Sequence, residues 1–236
     1  GSFDLSAVAT TTRFDSNITV DSTGTFNSGT GAVTMGTSLS LLGAGNISLG
    51  GTVTVNSGVT LTNSNTGTVT MGALTIASPV ASNGLSLTTG STTNVTGAVT
   101  YTANATANTQ TITMNGTANI TAGSLTINRP TSTGQSNITC AASATGTFAT
   151  TGAATINGAS TATATVNITM NTCSFTSGGL LTIAGGTTGG NITFTTTTGV
   201  LTASAGVTFT GTAARNVLNI GSGNFNLTGT LGSGGT

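Results

Sequence analysis

The sequence predicts an all-β chain folded as a triangular parallel β-solenoid, with about nine coils of roughly 20–30 residues and three short strands per coil. Three observations predict it. A motif of glycine, spacer, apolar residue, threonine and apolar residue recurs as GAVTM from Gly31, GALTI from Gly72, GAVTY from Gly97, GSLTI from Gly123, GAATI from Gly152 and GLLTI from Gly179. Two further short motifs recur between its copies, always in the same order. In all three, apolar and polar residues alternate, which is the period of a strand with one buried face and not of a helix.

The glycine-led series, counted at the third residue of each copy, falls at Val33, Val53, Leu74, Val99, Leu125, Ala154, Leu181 and Val207, at intervals of 20 to 29 residues. In GALTI, Leu74 and Ile76 point to one side and Ala73 and Thr75 to the other. A second series runs NITV from Asn17, SLSL from Ser38, VTLT from Val59, LSLT from Leu85, TITM from Thr111, NITC from Asn137, NITM from Asn167, NITF from Asn191 and VLNI from Val217. A third, looser series links them, for example TFNS from Thr25, NISL from Asn46, TVTM from Thr68 and SFTS from Ser174. Gly, Asn and Ser punctuate the segments, as corners require. One such coil cannot bury its apolar face alone, so stability comes from stacking neighbours. A sandwich of antiparallel strands would share the alternation, but it gives no reason for the fixed order.

The interior is expected to be built of aliphatic ladders. One holds Ile112, Ile138, Ile168 and Ile192. Another holds Met35, Val55, Ile76, Tyr101, Ile127, Ile156, Ile183 and Phe209. Residues 17–236 form the solenoid in this reading, and residues 1–16 an N-terminal cap or intersubunit docking segment.

Composition excludes several classes of function. Charged residues are 3% of the chain, with no His, Lys, Glu or Trp. The cations are Arg13, Arg129 and Arg215, too scattered to neutralise phosphates, so no nucleic-acid partner is expected. No apolar run approaches the roughly 18 residues of a membrane helix, and Gly1 to Ser16 lacks a secretory n-region and h-region. Export is therefore signalled elsewhere, or the numbered chain is already mature. The carboxylates Asp4, Asp15 and Asp21 all lie near the start, and without His or Lys the usual general bases are missing. No catalytic residue, cofactor or metal site is expected, and the chain reads as a non-enzyme.

Cys140 and Cys173 lack metal-ligand spacing. They read as buried apolar cysteines or as a disulfide stapling adjacent coils, the latter suited to an oxidising location. Sequons place candidate glycans at Asn17, Asn46, Asn94, Asn104, Asn115, Asn119, Asn137, Asn167, Asn191 and Asn226. That number is close to what the Asn, Ser and Thr content gives by chance. Asn137, Asn167 and Asn191 are expected to stack as an outward amide ladder.

The GALTI-type and NITM-type segments, spread over about 17–230, resemble the β-solenoid repeats of bacterial surface adhesins, such as autotransporter passenger domains and filamentous-haemagglutinin-like exoproteins. The resemblance implies a secreted, rigid rod at the cell surface. A Thr ladder of Thr34, Thr54, Thr75, Thr100, Thr126, Thr155, Thr182 and Thr208 is expected to face outward, and it resembles the ice-binding face of some β-solenoid antifreeze proteins. Its neighbouring column is mostly alanine: Ala32, Thr52, Ala73, Ala98, Ser124, Ala153 and Leu180. The leading expectation is an extracellular structural protein that assembles head to tail with copies of itself into a filament, sheath or adhesin stalk. Phe3, Asp4, Leu5, Arg13 and Phe14 at one end and Phe225 and Leu227 at the other are the expected assembly contacts. An ice-binding protein and a carbohydrate-binding or carbohydrate-active surface protein, with surface glycans as partners, are the alternatives.

Overall fold

The structure is a computed structural model that describes residues 1–77, 80–186, 191–211 and 216–233. Arg215 lies outside the described residues. The described chain holds strands and no helix, and the strands wind into a parallel β-solenoid of about eight turns. Every strand pairing is parallel. The NITM-type segments form one face, a nine-stranded sheet from Ile18–Val20 to Asn216–Ile220. The linking and GALTI-type segments form the other two faces, joined in a single larger sheet. At the usual inter-strand spacing, eight turns make a rod about 40 Å long.

The two joined faces explain why the motif begins with glycine. In the strands Asn46–Val55, Thr68–Ile76, Thr92–Tyr101 and Asn119–Ile127 the chain turns the corner without leaving the sheet. The register slips there, for example between Val95 and Val99. Glycines stack at this bend. A Cβ on Gly72 would lie 2.3 Å from the carbonyl oxygen of Gly50, one on Gly97 would lie 2.6 Å from that of Gly72, and one on Gly152 would lie 2.7 Å from that of Gly123. Only a residue without a side chain allows one coil to approach the next so closely.

The ladder from Val55 through Ile76, Tyr101, Ile127, Ile156 and Ile183 to Phe209 runs in the expected register. The Ile112 ladder is corrected in its last rung. Ile112, Ile138 and Ile168 pair in sequence, but Ile168 meets Phe194, and Ile192 meets Val166. The strand Asn191–Thr196 sits two residues from the expected alignment. A two-residue slip keeps every side chain on its own face, so alternation alone cannot detect it. The larger ring fills space beside Phe175, at a centroid distance of 5.2 Å, and Phe175 in turn stacks on Phe148 at 5.4 Å.

Buried polar side chains tie the corners. Asn83, Gln110 and Ser136 stand in register, facing inward. Gln110 Nε2 donates to the carbonyls of Ile76, Ala77 and Thr102 at 2.9, 3.0 and 3.1 Å, and its Oε1 accepts from Ser136 Oγ at 2.9 Å. Asn83 Nδ2 donates to the carbonyls of Val55, Asn56 and Ala77. The carbonyls of Val55 and Ile76 also accept from the backbone amides of Ala77 and Thr102, and the buried side-chain amides add bonds to these corner carbonyls while satisfying their own buried donors.

Residues 1–16 join the stack as strands. Ser2–Asp4 pairs with Thr25–Asn27, and Thr12–Phe14 pairs with Val33–Met35. Apolar side chains of the first and last described coils are less covered than those between them. Phe3, which stacks on Phe26 at 5.4 Å, remains 56% exposed. In the last coil Leu218, Ile220, Phe225 and Leu227 are only partly buried, and Leu231 is 61% exposed.

Candidate functional surfaces

The GALTI face carries the Thr ladder. Thr34, Thr54, Thr75, Thr100, Thr126, Thr155, Thr182 and Thr208 pair one to the next without interruption, all half-exposed. Arg13 opens the column below Thr34, and Gly232 follows Thr208. The neighbouring outward column is mixed: Thr52 pairs with Ala73, and Ala98 with Ser124. Ala32, Ala153 and Leu180 are also solvent-facing, which leaves one hydroxyl column on this face.

The nine-stranded sheet carries a denser array that the sequence reading did not single out. Four successive strands present outward triplets: Thr109, Thr111 and Thr113; Gln135, Asn137 and Thr139; Thr165, Asn167 and Thr169; Asn191, Thr193 and Thr195. Their registers place the twelve side chains in a grid of three columns and four coils, all neutral and polar and none buried. Two of the columns continue backward through Gly84 and Ser86 to Thr60 and Thr62. Asn167 Nδ2 donates to Asn137 Oδ1 at 3.1 Å and to Thr165 Oγ1 at 3.2 Å, so the amides brace the grid sideways. The signal was present in the sequence as outward polar pairs two residues apart in TITM, NITC, NITM and NITF.

The structure separates the sequon asparagines. Asn137 and Asn167 do pair, but Asn191 leaves the expected amide ladder: it pairs with Thr165, and Thr193 stands opposite Asn167, because of the same two-residue slip. Asn104 is fully buried, and its Nδ2 donates to the carbonyls of Asn108 and Gln135 at 2.6 and 3.1 Å. It is closed to a glycan in the folded chain, because its corner consumes the amide. Asn17, Asn46, Asn119 and Asn226 are exposed; Asn94 and Asn115 are half-exposed. The side-chain oxygens of Asn17, Asn46 and Asn119 accept from the backbone amides of Ser40, Thr68 and Thr147 in the next coil.

Cys140 and Cys173 are joined in a disulfide between adjacent coils, with Cα atoms 6.2 Å apart and both residues buried. Tyr101 is core: its hydroxyl donates to the Asn137 carbonyl at 2.8 Å, and burial holds its pKa well above the ordinary tyrosine value. Charged residues of the first coil are engaged with near neighbours. Asp15 is bridged to Arg13 at 2.9 Å, both exposed, and Asp4 Oδ1 accepts from Asn27 Nδ2 at 3.1 Å and from the Ser6 amide at 2.8 Å. Asp4 and Asn27, with Asn46 and Thr70, line an open trough of about 660 Å³ on the linking face. Among the described residues no three His, Cys, Asp or Glu side chains stand where a metal ion could be held. No family model, curated protein or solved structure matches the chain.

Proposed function

We propose that the chain is a mechanical rod segment, a building block of an extracellular filament, sheath or adhesin stalk that assembles coil on coil with copies of itself. The observation that carries this reading is the continuous ladder. Parallel pairing runs unbroken from coil to coil through the described residues, so the edge of one coil is what the next coil pairs with. Such an edge is a template for another strand. Head-to-tail contact between two different ends does not close, so it propagates as a filament. Near-absence of charge leaves little repulsion to oppose it. The Cys140–Cys173 disulfide supports an oxidising, extracellular setting.

The test is sedimentation velocity on the wild-type chain and on two end variants, Phe3→Lys and Leu227→Lys, each of which places a cation on one edge. Wild type is expected to grow with concentration. Each variant alone is expected to remain a single rod, and an equimolar mixture to form dimers through the two unblocked ends. A wild-type chain that stays a single rod at every concentration, or a mixture that does not dimerise, refutes head-to-tail assembly.

A further inference from the structure

We propose that the three-column grid on the nine-stranded sheet is a docking face for ice, a use independent of the rod function and borne by a different face from the GALTI ladder. No charged side chain lies on any described strand of this sheet, so the face matches an uncharged partner and offers nothing to phosphate or an ionic mineral. No aromatic ring faces outward there, and the apolar outward residues, Leu42 and Val217, stand towards opposite ends of the sheet. Lateral docking of a second copy would therefore have no apolar centre to bury.

What remains is a rigid lattice of hydroxyls and amides, each of which both donates and accepts, as water does. Its columns are about 6.7 Å apart along the strands and its rows about 4.8 Å apart between coils. A single small ligand gains little from such groups, because each contact replaces a hydrogen bond to liquid water. A periodic solid is different, since a flat lattice facing it engages all rows at once without further ordering. The face is ordered in advance: backbone ladders fix the rows, and Asn167 is held by both Asn137 and Thr165. The GALTI face lacks this second dimension, because its neighbouring column alternates with alanine.

The experiment is ice recrystallisation on the purified full chain, alongside Thr139→Tyr and Thr169→Tyr in the grid and Thr126→Tyr on the GALTI ladder. Tyrosine suits an outward strand position, and unchanged circular dichroism and melting identify the variants that remain folded. Wild type and Thr126→Tyr are expected to arrest crystal growth at the same concentration, and the two grid variants to lose the arrest there. Folded wild type without effect on ice growth overturns the proposal. So does equal loss in Thr126→Tyr, or wild-type co-sedimentation with crystalline cellulose or chitin in place of any effect on ice.

Discussion

Replacing Gly97 by alanine sets two physical effects against each other. Glycine inside a strand is ordinarily worse than alanine by about 0.5–1 kcal/mol, because it loses more backbone freedom on folding. On that ground alone Gly97→Ala stabilises. The structure reverses the sign. A Cβ at Gly97 would lie 2.6 Å from the carbonyl oxygen of Gly72 in the coil below, and that oxygen is backbone within the strand Thr68–Ile76. The coils must separate or the bend must open, and overpacking of this kind costs about 1–3 kcal/mol. The net expectation is a loss of about 1–2 kcal/mol, or a melting temperature lower by roughly 2–8 °C for a chain of this size. Urea unfolding of wild type, Gly97→Ala and Gly232→Ala reads the difference. At Gly232 the nearest atom to an added Cβ is Thr208 Oγ1 at 3.7 Å, ordinary contact, so that control should keep the backbone gain and be stabilised by up to about 1 kcal/mol. A Gly97→Ala chain as stable as wild type, or more so, would show that the glycine column is not what allows the coils to stack.

Two further predictions concern the core. The Cys140–Cys173 bridge spans 33 residues, for which chain entropy gives about 4 kcal/mol of stabilisation; a melt of the Cys140→Ala/Cys173→Ala double variant should show that loss, and an unchanged melt would contradict the bridge. Tyr101 has a folded pKa raised by burial, so above about pH 10 the unfolded chain releases a proton that the folded chain keeps. Its contribution is therefore whole below pH 10 and lost as pH rises beyond it. Tyr101→Phe, compared with wild type by urea unfolding at pH 9 and pH 11, should lose less stability over that interval; an identical loss contradicts the assignment.

The strands were legible in the sequence because each alternates over a buried face. The motif order alone placed the segments on three faces, and the Thr34-to-Thr208 column follows directly from it. Register was less legible: Phe194 stands where Ile192 was expected because a two-residue slip preserves the pattern. The inward amides were hidden for a different reason. Gln110 and Asn83 are polar, yet each lies two positions before an inward Ile112 or Leu85, so its parity already pointed it inside. The grid on the nine-stranded sheet was missed because it emerges only when four registers are laid side by side.

Coil-on-coil assembly means that stacked coils continue from one copy to the next, and electron microscopy of the purified chain at near-neutral pH reads this out. It predicts long unbranched filaments with an axial repeat near one rod length, about 40 Å, and strands lying across the axis at about 4.8 Å. Dispersed single rods at high concentration, or filaments whose strands run along the axis, would contradict it.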